Sequence, residues 1–132
     1  MPSAVGTFTV EMKPLASDAP GPGGTPLGRL SLAKVFSGGM TGTSLGEMLT
    51  AVTPVAGSAG YVAIERFSGS VMGRYGSFML QHGGLMNRNA RELAISVVPD
   101  SGTDELTGIA GRFVLTIEGG THRYVLNYEL GA

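Results

Sequence analysis

Turn chemistry interrupts this chain about every ten residues, and no stretch between the turns holds a helical period over a dozen positions. Gly38-Gly39, Gly57 to Gly60, Ser68-Gly69, Gly83 to Asn89, Pro99 to Asp104 and Gly119-Gly120 are the separators. Between them lie runs rich in Val, Thr, Ile, Tyr and Phe that alternate apolar with polar residues, the period of a half-buried strand. The runs are 5–13, 29–37, 40–52, 60–67, 70–82, 91–98, 106–118 and 121–130. Within the third, Leu45, Met48, Leu49 and Val52 are also compatible with a helical turn. Eight short strands with short connections and no repeat predict an all-β chain, a single eight-stranded antiparallel meander barrel, with a β-sandwich as the other arrangement. Such a barrel is just wide enough to be filled by side chains or to hold one small ligand.

Residues 1–132 read as one domain. A chain of this length buries roughly two thirds of its unfolded surface, enough for a core without staples. The segment 14–28 carries Pro14, Pro20, Pro22 and Pro26 with Gly21, Gly23, Gly24 and Gly28, and reads as a loop. It is no interdomain linker, because the single strand before it cannot fold alone. Glycine supplies 22 of 132 residues with no period of three, which excludes collagen and leaves a tightly turned sheet.

Cysteine is absent, so disulfides, zinc thiolates and thiol nucleophiles are excluded, in keeping with a reducing cytoplasm. The N-terminus shows no basic segment followed by an apolar run, and no apolar stretch approaches the ~20 residues of a membrane helix. Net charge is −1, and the nine basic residues, seven of them Arg, are scattered singly. The clustered basic footprint of a nucleic-acid binder is missing. HExxH, calcium-loop spacing, GxGxxG, a P-loop and a GxSxG elbow are all absent, so neither a metal nor a cofactor is expected. What survives is acid–base chemistry or binding by shape.

Two hairpins fix which way side chains point. A two-residue Gly119-Gly120 turn sets Glu118 opposite Thr121. It puts Ile109, Gly111, Phe113, Leu115 and Ile117 on one face with His122, Tyr124, Leu126, Tyr128 and Leu130, plainly the inside. A turn at Ser68-Gly69 pairs Phe67 with Ser70, Glu65 with Met72 and Ala63 with Arg74, so that Glu65 and Arg74 lie diagonally within reach. Tyr61, Phe78, Leu80 and His82 share that face, while Val62, Ile64, Arg66, Val71, Tyr75, Met79 and Gln81 share the other. Both faces are largely apolar. Turning the Tyr61/Glu65/Arg74/His82 face inward joins it to the aromatic face of the last hairpin and leaves an apolar outer face suited to a homo-oligomer, dimer or trimer.

Glu65 with Arg74 reads either as a structural ion pair or as a carboxylate in a cavity, able to work as an acid or base. His82, beside a glycine pair at a strand end, reads as a hydrogen-bonded structural residue or a catalyst. Tyr61, Tyr124 and Tyr128 fill the barrel or orient a ligand by their hydroxyls.

Four segments together resemble a bacterial family of unknown function with an allene-oxide-cyclase-like β-barrel. They are 59–69 (AGYVAIERFSG), 73–84 (GRYGSFMLQHGG), 97–108 (VVPDSGTDELTG) and 122–130 (HRYVLNYEL). Asp104 stands where that family's turn has Gly. The resemblance implies an eight-stranded antiparallel barrel and, through the wider group of plant allene oxide cyclases, dirigent-like proteins and bacterial polyketide cyclases, cofactor-free folding of a reactive substrate in an apolar cavity. The positions that match are Tyr61, Glu65, Arg74, Gln81, His82, His122 and Tyr124, and no roles come with them. The expectation is therefore a cofactor-free isomerase or cyclase for a small apolar organic molecule, or else a carrier of one. Glu65 and His82 are the candidate catalytic residues; Tyr61, Arg74, Phe78, Gln81, His122, Tyr124 and Tyr128 are the candidate substrate-binding residues.

Overall fold

A computed structural model describes residues 2–16, 24–88 and 90–131. Most of the predicted 14–28 loop, residues 17–23, lies outside the described residues. Eight strands run β1 (Ser3–Pro14), β2 (Leu27–Gly38), β3 (Met40–Val52), β4 (Ser58–Val71), β5 (Arg74–Asn87), β6 (Ala90–Val97), β7 (Ala110–Glu118) and β8 (Thr121–Glu129). All neighbours are antiparallel and the order is the chain order, with β1 closing on β8. This is the meander barrel the sequence predicts. The stretch 44–52 is strand throughout, because its inward positions Ser44, Gly46, Met48 and Thr50 continue the period of two from Met40.

The last hairpin turns at Gly119-Gly120 with Glu118 opposite Thr121, as expected. The β4–β5 hairpin does not turn at Ser68-Gly69. Both residues lie inside β4, and the chain reverses at Met72-Gly73, which hold φ of 48° and 85°. Gly69 serves close approach instead: it faces Gly42 on β3, and a Cβ there would strike the Thr41 carbonyl. Glu65 is consequently opposite Leu80, eight residues from the expected Met72. Eight is even, so the error preserves the faces, and Glu65 and His82 do point inward. Gly83 and Gly84 likewise belong to β5 rather than to a turn.

The inward faces fill the barrel unequally. At one end Phe36, Met40, Phe67, Phe78, Phe113, Tyr124 and Leu126 pack into an aromatic core, plugged by Leu106 and Ile109 from a 3-10 turn (Asp104–Leu106) and its sequel. Asp104 holds φ 52°, a conformation glycine adopts without strain. At the other end the inward residues Val10, Leu30, Met48, Tyr61, Leu93, Leu115 and His122 are only half-buried, so this end is open.

Candidate functional site

Between the aromatic plug and the open end, four consecutive strands each turn one polar side chain inward: Lys34 from β2, Ser44 from β3, Glu65 from β4 and His82 from β5. Strand alternation puts each among apolar neighbours, Lys34 between Leu32 and Phe36, and Glu65 between Ala63 and Phe67. Glu65 is fully buried and collects the other three. Lys34 Nζ lies 2.7 Å from Oε2, Ser44 Oγ donates to Oε1 at 2.7 Å, and His82 Nε2 lies 2.6 Å from Oε2. The Lys34 ammonium also sits 5.0 Å from the Phe8 ring centroid, a favourable cation–π placement. Gly46 faces Glu65 across the β3–β4 ladder, where a Cβ would fall 2.6 Å from the Glu65 Cα.

Burial pushes the Glu65 carboxyl upward, but the contact with His82 and the charge of Lys34 outweigh it and hold the group at about 2. Glu65 is therefore a fixed anion near neutrality and not a proton donor. Two lone pairs cannot face each other at 2.6 Å, so the His82 Nε2 carries a proton. Its N–H does not align with the carboxylate, however, and Nε2 has no well-directed hydrogen-bond partner.

Toward the open end the Tyr61 ring lies 6.4 Å from the His82 ring and occupies the space left by Gly84, where a Cβ would fall inside the ring. Burial raises the Tyr61 hydroxyl, opposed by the charge of Arg91 and reinforced by Glu65, so it stays a neutral donor. His122 packs on Phe8 with centroids 5.1 Å apart, one ring removed from Lys34.

The sequence-predicted residues thus divide. Glu65 and His82 meet, with Tyr61 beside them and His122 behind Phe8. Arg74 does not pair with Glu65: it sits opposite Val71 at the exposed β4–β5 turn, and Lys34 takes the role expected of it. Gln81 points outward. Phe78 and Tyr128 are buried in the aromatic end, as is Tyr124. The Tyr124 hydroxyl accepts from the Met40 amide at 2.8 Å and donates to the Ser37 carbonyl at 2.8 Å. Sequence reasoning missed Lys34 and Ser44. The available signal was a polar residue at an inward position of an otherwise apolar row, Leu30–Leu32–Lys34–Phe36 for the lysine. Among the described residues no group of three His, Cys, Asp or Glu is placed to hold a metal ion.

Fold and site define a closed eight-stranded barrel with a buried ionic cluster below an open, apolar mouth. The chain belongs to the family described as "Protein of unknown function (DUF3224)", whose pattern matches residues 4–128. It is similar to the crystal structure of a protein of unknown function from the same family in Shewanella oneidensis MR-1, at 45% identity over 100% of this chain and 98% of that one, with a TM-score of 0.95. No curated protein matches the chain. Among the described residues no helix is long and apolar enough to cross a membrane.

Proposed function

We propose that the protein is a small-molecule barrel in which His82 moves a proton within a largely apolar metabolite, in the manner of a cofactor-free isomerase or cyclase. One observation carries this reading. The ion pair of Lys34 and Glu65, with His82 against the same carboxylate, is buried where apolar side chains of similar volume would cost less, since desolvating ions is seldom repaid in stability. Such groups are retained where chemistry uses them. In this reading Glu65 orients His82, Lys34 balances Glu65, and the Tyr61 hydroxyl fixes the substrate. The half-buried Val10, Leu30, Leu93 and Leu115 select for apolar bulk, and shape control supplies much of the acceleration by holding one reactive conformer. The resemblance read from the sequence to an allene-oxide-cyclase-like barrel supports this by analogy of fold alone. The absence of cysteine suits a cytoplasmic setting.

The same apolar mouth also fits a second reading, carriage of the molecule without reaction. The two separate in heavy water. A bacterial metabolite extract incubated with the protein in D2O should gain deuterium at carbon in one compound, read by mass spectrometry. The exchange should vanish with His82→Gln and persist with Arg74→Ala, which lies outside the site. A compound that binds and is returned without exchange would establish the carrier reading instead.

A further inference from the structure

The outer surface of the barrel is not uniform. Around β7 and β8 the outward side chains include Arg112, Thr116, Glu118, Thr121, Arg123 and Asn127, with a short apolar row of Val114 and Val125 continued by Val5 of β1. Across β2 to β5 the outward side chains include Leu27, Val35, Leu45, Leu49, Val62, Ile64 and Leu85, each between 44% and 69% exposed, with Arg29, Glu47, Arg66 and Gln81 among them. Together the apolar ones leave roughly 700 Å² of surface uncovered, close to the ~800 Å² each partner contributes to a standard interface. Patches of this size on a monomer mark a binding face.

The relief of this face argues for what covers it. Gly60 and Gly83 have no side chains on the outer side, and they floor a groove of about 650 Å³ walled by Leu49, Val62 and Leu85. A Cβ at Gly83 would meet nothing within 4 Å. Leu45, the most exposed of the set, projects from the same strand four residues before Leu49, about 13 Å away along β3. One face therefore carries both a projection and a recess. An isologous contact requires this, because each copy must offer both halves of the match.

We propose that two copies of this chain associate face to face through β2–β5 across a two-fold axis passing near Ile64, each Leu45 seating in the other's Gly60–Gly83 groove. The charges agree. Arg66, opposite Leu45 on β4, makes no salt bridge among the described residues, and the rotation carries it toward Glu92 of the partner subunit at the groove's far rim. Arg29 and Glu47 neutralise each other within one copy at 2.6 Å, so no like charges are brought together at the centre. Tyr61 and Leu93 of the open end also line this groove, so the contact borders the candidate site, but the oligomeric state is read without reference to what that site does.

Sedimentation equilibrium of the full chain from 1 to 100 µM tests it. The wild type should weigh about 27 kDa, twice the 13.5 kDa chain. Leu45→Glu and, separately, Gly83→Phe should raise the dissociation constant by about 30-fold or more, the scale of a central contact. Val114→Glu, on the β7–β8 side, should leave it unchanged. Far-UV circular dichroism of each variant confirms the fold, and Leu45 is exposed enough that its charge is no threat to it. A wild-type monomer at 100 µM, a mass near three chains, or a dimer indifferent to both Leu45→Glu and Gly83→Phe overturns the proposal.

Discussion

Glu65→Gln isolates the buried cluster with the least change of shape. The variant leaves the Lys34 ammonium, 6% exposed, without its counter-charge. Breaking a buried pair from one side costs about 3–5 kcal/mol. A second route gives the same size. Holding a carboxyl at about 2 in place of 4.5 corresponds to about 3 kcal/mol of folding free energy. The sign follows from the direction of that shift. A depressed acid stabilises the fold fully above its unfolded value, near 4.5, and loses that contribution as pH falls toward 2. Urea unfolding followed by far-UV circular dichroism should therefore show Glu65→Gln about 3 kcal/mol less stable than wild type at pH 7. That is a large share of the 5–15 kcal/mol usual for a domain. The gap should persist at pH 5 and close progressively between pH 4.5 and 2. Replacing both charged partners, Lys34→Met with Glu65→Leu, should remove the cost of the unpaired ammonium, while Ser44 and His82 lose their acceptor, so the recovery is partial. A loss below about 1 kcal/mol at pH 7 refutes the reasoning.

Tyr124→Phe orphans the buried Met40 amide and should cost about 1–3 kcal/mol, read as a lower urea midpoint with little dependence on pH between 3 and 8. Gly46→Ala drives a methyl into the Glu65 backbone from the neighbouring strand and should destabilise by about 1–3 kcal/mol or more. Because that methyl displaces Glu65 from its partners, the drop in stability between pH 4.5 and 2 should also shrink in Gly46→Ala.

Which residues share a face was legible in two hairpins, β4–β5 and β7–β8, because the period of two survives errors of position. The β4–β5 turn shows the limit. Ser68-Gly69 is the better turn dipeptide in isolation, and choosing it over Met72-Gly73 moved every partner by eight residues while leaving Glu65, Phe78 and His82 on the inner face. What decides between them is the other neighbour of β4. Gly69 is needed opposite Gly42 of β3, and that contact joins residues far apart in the chain. The ambiguous 44–52 stretch resolves for a similar reason: β2 and β4 pair with it on both sides, and ladder hydrogen bonding overrides a local helical pattern.

The site was half legible, and the missing half has a geometric cause. A carboxylate on an apolar inner row requires a cation, and a local search found Arg74 on the adjoining strand of the assumed hairpin. The actual partner, Lys34, comes from β2, two strands from β4 and so about 10 Å across the sheet at the usual spacing. A lysine spans that distance only if the strand between raises no obstacle. On β3 the intervening inward residues are Ser44 and Gly46, a hydroxyl that joins the cluster and a hydrogen that leaves it room. The cluster is thus specified by small residues on the middle strand as much as by the charges on the outer ones. In a meander barrel, a polar residue on an apolar row should be matched first with polar residues two strands away, wherever the strand between them carries glycine or serine at that level.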